Sequence, residues 1–173
     1  MNNTTLSKFI KDIPNFPKEG IVFKDISPLL ASKEARESMT QSLIAPFKDK
    51  NIDVVIGIES RGFLFGMLMA DALNAKFVMM RKPGKLPGQI ISQEYQLEYG
   101  TDTLEIQKGS LSSQDNVLIH DDVLATGGTA AAALSLVEQT GAATVGYSFI
   151  IELDFLNGKD LLKNPHVHSI LHY

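Results

Sequence analysis

Two adjacent carboxylates, Asp121 and Asp122, are followed closely by Ala125-Thr126-Gly127-Gly128-Thr129. Backbone amides opened up by two glycines, with the hydroxyls of Thr126 and Thr129, can close around a phosphate. The carboxylates can accept from sugar hydroxyls or hold a metal ion. The flanking residues fit such a task. Residues 117–120 form a short apolar run, which reads as a strand buried on both faces of a parallel sheet, and the run stops on the acidic pair. Residues 130–140, rich in alanine, read as a helix whose first amides have no partner within it and whose dipole favours an anion. In open α/β sheets, ligands sit at this end of the strands. The arrangement describes a site for a phosphorylated sugar. The alternative is a plain turn that the glycines merely permit. No lysine follows the glycines, so this is not the nucleoside-triphosphate loop, and the spacing is not that of the dinucleotide fingerprint.

Cations stand at two other turns. Glu59-Ser60-Arg61-Gly62 follows a β-branched run at 53–58 and opens a helix through Phe63, Leu64, Met67, Leu68 and Ala72. A cation at a helix start opposes the dipole, which favours a functional role for Arg61 over that of an exposed surface residue. Arg81-Lys82-Pro83-Gly84-Lys85-Leu86-Pro87-Gly88 cannot be helical. It reads either as a solvated loop or as a lid whose cations close over a charged substrate and exclude water. Glu98, by residue type alone, is a charge on an exposed strand face. His166, His168 and His172 invite a metal, but with no cysteine and no nearby carboxylate to complete a set, surface histidines are the plainer reading.

The elements that must position these groups alternate along the chain. Leu6, Phe9, Ile10 and Ile13 recur at helical spacing, which predicts a helix ended by Pro14; an irregular stretch and an extended segment at 21–26 follow. Ser32 caps a helix predicted to run to about Lys50, with Pro46 bending it or ending it early. Strands are expected at 53–58 and 76–80, then at 90–99 and 101–106, paired as a ribbon through Gly100. Beyond helix 130–140, stopped by Gly141, come a strand at 144–151, a helical turn at 158–163 and a last strand at 167–171. This order predicts an α/β fold with a mainly parallel central sheet flanked by helices. No repeat or linker divides residues 1–173, so a single domain is expected.

The string Asp121-Asp122-Val123-Leu124-Ala125-Thr126-Gly127-Gly128-Thr129 resembles the phosphoribosyl pyrophosphate signature of the type I phosphoribosyltransferases, and within that family most resembles the adenine branch. Other strings are similar to that branch in the same order. Residues 13–26 are similar to its N-terminal hood, with Glu19 where proline is usual. Glu59-Ser60-Arg61-Gly62-Phe63 is similar to its pyrophosphate loop, the string from Arg81 to its flexible loop, and Leu97-Glu98-Tyr99-Gly100 to a further family motif. The resemblance implies a type I phosphoribosyltransferase fold with a small hood, about residues 1–30, and a flexible β-ribbon lid, about 81–106. It implies transfer of a 5-phosphoribosyl group from phosphoribosyl pyrophosphate to adenine, giving AMP and pyrophosphate, with Mg2+ bound through the substrate and with Asp121 and Asp122 as candidate protein ligands. It implies that Arg61, Arg81 and Lys85 meet the leaving pyrophosphate, that Glu98 acts as acid/base on the purine, and that Tyr99 lies beside the ribosyl centre. Ser60 and Lys82 join Asp121, Asp122 and Ala125, Thr126, Gly127, Gly128 and Thr129 in binding the substrate, while Val22, Phe23, Lys24 and Leu153 take the base. A homodimer is implied too. His120, where the family usually has an apolar residue, is expected to be packed and structural. Two alternatives remain: an enzyme for a 6-oxopurine, or a non-catalytic regulator that senses nucleotides on the same fold and binds nucleic acid. The retained Glu98, Tyr99, Arg81 and Lys85 weigh against the second.

The totals are consistent with this. A chain of 173 residues supports one full core. Hydrophobic residues at 44% and charged residues at 21% are ordinary globular values. The absence of cysteine excludes a disulfide framework and suits a reducing compartment. The first twelve residues have no signal-peptide core, and the apolar stretch 62–70 is shorter than the ~20 residues a membrane helix needs. A cytoplasmic protein with no membrane partner is expected. A net charge of −4 argues against a nucleic-acid surface, whereas the local cluster Arg81, Lys82 and Lys85 suits a small, highly charged anion.

Overall fold

The computed structural model describes residues 1–96, 100–163 and 166–173. They fall into two compact units, Met1–Ser42 and Leu43–Tyr173. The first opens with α1 (Asn3–Leu6), capped by the Asn2 side chain, which accepts from the Thr5 N–H at 2.9 Å. After a 3-10 turn at Ser7–Phe9, β1 (Lys11–Pro14) pairs antiparallel with β2 (Val22–Asp25). The helix expected through Ile13 therefore stops early. So short a helix is marginal on its own, and the extended segment across the turn at 15–21 offers residues 11–14 strand partners instead. Then come α2 (Ser27–Ala31) and α3 (Lys33–Ile44). The expected cap holds: Ser32 Oγ accepts from the Ala35 N–H at 3.2 Å. The α-helix ends at Ile44 rather than near Lys50, and Ala45–Phe47 tightens to a 3-10 turn around Pro46, which has no N–H to continue the ladder.

The second unit is built on a five-stranded parallel sheet. Its strands are β3 (Val54–Ile58), β4 (Lys76–Met80), β7 (Asn116–Leu124), β8 (Ala143–Glu152) and β9 (Val167–His172), in the order β4-β3-β7-β8-β9. Between β4 and β7 in the chain lie β5 (Ile90–Gln96) and β6 (Thr101–Gln107), an antiparallel ribbon in register from Ile90↔Gln107 to Gln96↔Thr101. Helix α4 (Glu59–Leu73) links β3 to β4, and α5 (Gly128–Thr140) links β7 to β8. From the middle of the sheet the chain steps one way after β3 and the other way after β7. Right-handed crossovers then place α4 and α5 on opposite faces, and the switch point falls between β3 and β7.

β3 is buried along its whole length, as a run with no alternation implies. Val54, Ile56, Val117 and Ile119 pack in one cluster with Ala133, Leu136 and Val137 of α5. The acidic pair lies near the C-terminal end of β7, as expected, and the strand runs two residues past it to Leu124. Pairing with β8 as far as Leu124↔Glu152 holds this segment extended. Among the described residues, no helix is long and apolar enough to cross a membrane.

Candidate active site

Consecutive residues of a strand alternate in direction, but at the end of β7 Asp121 and Asp122 both border one cavity. Asp122, only 3% exposed, meets Arg61 of α4, whose Nε lies 3.0 Å from Oδ2. That pairing accounts for a cation in the first turn of a helix. Asp121 Oδ1 accepts the N–H of Asp122 at 2.8 Å. Burial pushes both carboxyls above the usual range, with the charge of Asp122 adding to the shift of Asp121 and Arg61 opposing that of Asp122. Adjacent carboxylates bordering one cavity are oxygen donors of the kind a hard cation takes, so Asp121 and Asp122 are the residues that would hold a divalent metal.

The loop after β7 makes a small cavity of about 60 Å³, lined by Asp121, Ala125, Thr126, Gly127, Gly128 and Thr129, among others. Its floor is the N-terminus of the thirteen-residue α5, a natural anion position. Gly127 sits at φ 83, and a Cβ there would lie 2.2 Å from the Gly158 carbonyl oxygen; at Gly158 a Cβ would lie 2.1 Å from the Ala125 oxygen. The turn at Gly158–Leu161 thus braces the loop by direct backbone contact, and neither position admits a side chain.

A larger cavity of about 330 Å³ adjoins it, sharing Asp121 and Thr129. Ile58, Glu59, Ser60 and Arg61 line it from the β3–α4 turn, Lys82 from the 81–88 loop, Tyr95, Asp102 and Leu104 from the ribbon, and Asp122 from β7. The cations around it are paired. Lys82 Nζ lies 2.6 Å from Asp102 Oδ2; this bond raises the lysine pKa and lowers that of the aspartate. Lys85 Nζ lies 3.2 Å and Arg81 Nε 3.8 Å from the Glu59 carboxylate, and the Lys82 N–H also donates to Glu59. The Arg81 guanidinium stands 5.4 Å from the centre of the Phe63 ring. Further along the loop, the Gly84 N–H donates to buried Glu105 of β6 at 3.2 Å. Tyr95 joins the ribbon to the phosphate-type loop: its hydroxyl accepts from Thr129 at 3.3 Å and donates to Asp102 at 3.4 Å. Burial raises the Tyr95 pKa.

Most of the expected binding residues therefore converge. Ser60, Arg61, Lys82, Asp121, Asp122 and Thr129 line the larger cavity, 125–129 line the smaller, and Arg81 and Lys85 are bound to its wall through Glu59. Leu153 lies just past β8, where its N–H donates to the Leu124 carbonyl at 2.9 Å. Val22, Phe23 and Lys24 stand on β2 of the first unit; Val22 is 49% exposed, and Lys24 pairs with Asp12 at 2.8 Å. Glu98 and Tyr99 lie outside the described residues. Glu59, Tyr95, Asp102 and Gly158 were not singled out in the sequence. The polar ones looked like ordinary surface residues, and only Glu59, within the Glu-Ser-Arg-Gly string, carried a local signal.

His120 is fully buried, as expected, with Nδ1 2.8 Å from the Ser148 carbonyl oxygen. The reading of the terminal histidines needs one correction. His172 does have carboxylates beside it: Nδ1 is 2.9 Å from Asp154 and 3.9 Å from Glu152. The chain neighbours are distant in sequence but meet because β9 runs beside β8. Lys159 supplies a cation to Glu152 at 3.0 Å.

Comparison with known proteins places this geometry. The phosphoribosyl transferase domain family matches residues 25–154. The adenine phosphoribosyltransferase of Flavobacterium johnsoniae is 52% identical over 168 residues, spanning 97% of this chain and 99% of the relative. That of Koribacter versatilis is 48% identical over 169 residues, spanning 98% of this chain and 93% of the relative. Among solved structures, adenine phosphoribosyltransferase from Rhodothermus marinus superposes with a TM-score of 0.95 at 48% identity, covering 99% of this chain and 98% of that one. The Saccharomyces cerevisiae enzyme, complexed with an imino-altritol bisphosphate and adenine, gives a TM-score of 0.92 at 42% identity, with 97% of each chain covered.

Proposed function

This chain belongs to the adenine phosphoribosyltransferase family, and we propose that the cavities at the β3/β7 switch point are where it moves a 5-phosphoribosyl group from phosphoribosyl pyrophosphate to adenine, giving AMP and pyrophosphate. It is a pentosyltransferase of purine salvage. The observation that carries the site assignment is the pair of adjoining cavities. One is small, at a helix N-terminus; the other is larger, with Arg61 and Lys82 in its lining and Arg81 and Lys85 paired to Glu59 of its wall; they share Asp121 and Thr129.

In this reading residues 125–129 hold the 5′-phosphate, which fixes one end of the sugar. Asp121 and Asp122 take the ribose hydroxyls, while Ser60, Arg61, Arg81, Lys82 and Lys85 receive the diphosphate. The anomeric carbon is left between them. Displacement there spreads positive charge over the sugar and negative charge over the leaving diphosphate. The chain's contribution is orientation and matched charge; no covalent nucleophile is required. Mg2+, held by the substrate with Asp121 and Asp122, would neutralise diphosphate charge. Glu98 is assigned the purine proton, Tyr99 a place by the ribosyl centre, and Val22, Phe23, Lys24 and Leu153 the base. We further propose that the whole chain works as one domain, with its first 30 or so residues as hood, in a cytoplasmic homodimer whose partners are small molecules and neither nucleic acid nor membrane.

The test is AMP formation from adenine, phosphoribosyl pyrophosphate and Mg2+, with hypoxanthine and guanine in parallel. Turnover with adenine alone is expected. Turnover with a 6-oxopurine instead would reassign the base, and binding of phosphoribosyl pyrophosphate without any turnover would point to a regulator. Glu98→Ala is expected to lower the rate by about 100-fold, the scale of a lost general acid/base.

A further inference from the structure

Arg81, Lys82 and Lys85 lie on one loop; the side chains of Arg81 and Lys85 and the backbone N–H of Lys82 turn to one carboxylate, while the Lys82 ammonium pairs with Asp102. Glu59 Oε1 accepts the Lys82 N–H and lies 3.8 Å from Arg81 Nε, while Oε2 lies 3.2 Å from Lys85 Nζ. The backbone at Glu59 is itself unusual, with φ 43. A residue other than glycine seldom occupies the left-handed region, and such conformations persist where the surroundings fix them. Here the residue joins β3 directly to α4 and delivers its side chain, 23% exposed, to the wall of the larger cavity. One compact anion with two oxygens, bound by a guanidinium, an ammonium and a backbone amide, is the arrangement those donors would also offer a phosphate group.

We infer that Glu59 is a positioning residue that stands in for the leaving diphosphate: it holds the cationic loop over the site while no diphosphate is bound, and yields those cations when one is. The inference rests on the assignment of Arg81 and Lys85 to pyrophosphate. Two consequences follow. The free loop is held by ion pairs rather than left loose, so substrate exchanges one anion for another instead of ordering a mobile segment. The displaced carboxylate stays beside the bound diphosphate, and like charges at that distance limit its affinity. Glu59 therefore competes with pyrophosphate and favours its departure as product, since the binding-competent state is only part of the population.

Glu59→Asn separates these effects, because asparagine tolerates the left-handed backbone yet is neutral and too short to reach the loop. Amide hydrogen exchange at Lys82 in the free protein, calorimetric titration with inorganic pyrophosphate and Mg2+, and steady-state AMP formation are the readouts. In the variant, exchange at Lys82 should accelerate by about tenfold or more and regain protection when pyrophosphate is added. Pyrophosphate should bind on the order of fivefold more tightly, the lower range for coupling between two sites. KM for phosphoribosyl pyrophosphate and kcat should both fall, the latter through slower product release. Weaker or unchanged pyrophosphate binding, or unchanged exchange at Lys82, overturns the inference. Should Glu59→Asn fail to fold, Lys85→Met breaks the same pair from the exposed side, and Lys82 exchange must then accelerate or the inference fails. Wild-type protein that forms no AMP would count against the functional reading, whereas the role of Glu59 is decided by exchange and pyrophosphate binding alone.

Discussion

His120 stands one residue before the acidic pair, fully buried, donating from Nδ1 to the Ser148 carbonyl and with no hydrogen-bond partner at Nε2 among the described residues. Burial lowers its pKa from 6.5 to about 4. Between those values the unfolded chain takes up a proton that the folded chain refuses, so stability is intact above pH 6.5 and falls as pH drops towards 4. The loss through this one group approaches roughly 3 kcal/mol at the acid end. His120→Leu, of similar volume, is expected to flatten that slope: denaturant melts at pH 5 and pH 7.5 should differ less in the variant than in the wild type. Arg61 belongs to the same scale. Its ion pair with Asp122 keeps a cation beside the cavity, and Arg61→Gln is expected to lower kcat/KM for phosphoribosyl pyrophosphate by about 100-fold, as for a lost charge-stabilising donor.

At the scale of elements, the phosphate-type loop is shaped from outside as much as by its own residues. α5 supplies the amides and dipole, but the turn beginning at Gly158 sets how far the loop can travel, through contacts at Ala125 and Gly127. Gly158→Ala places a methyl against backbone that cannot yield cheaply. The expected outcome is a KM for phosphoribosyl pyrophosphate raised by about tenfold, with a stability loss of about 1–3 kcal/mol, the usual cost of overpacking. Steady-state kinetics and thermal melts check it. The ribbon is coupled to the same loop through Tyr95 and Thr129. Because that link is long, Tyr95→Phe should cost stability less than Gly158→Ala does.

For the whole molecule, α4 exposes Leu64, Met67 and Leu68, spaced three and four apart on one helix face, and the edge strand β4 exposes Met79. An apolar face of this kind suits a second copy of the chain better than solvent. Sedimentation is expected to show a dimer, and Met67→Glu to shift it towards monomer. A wild-type monomer at micromolar concentration would remove the homodimer from the proposal.

What could be read directly from the amino-acid order was local. Val117, Leu118 and Ile119 announce a buried strand, Ala125 to Thr129 a turn that opens into a helix, and Gly141 a helix stop, because each is set by residues within a turn or two of one another. The same holds for the chemistry of Asp121, Asp122, Arg61 and the loop from Arg81. Tertiary structure decided the rest. Residues 11–14 became a strand because a partner lay across a turn, which helical spacing in a short segment cannot reveal. Strand order placed β3 beside β7 and so brought Arg61 to Asp122, 61 positions apart in the chain by numbering. Glu59, Asp102 and Gly158 acquired their roles from groups distant in sequence: the loop cations and the Ala125 carbonyl. Residue type fixes what a group can do; only the closing of the chain on itself determines which group it meets, since charge pairing and steric contact depend on distance in space.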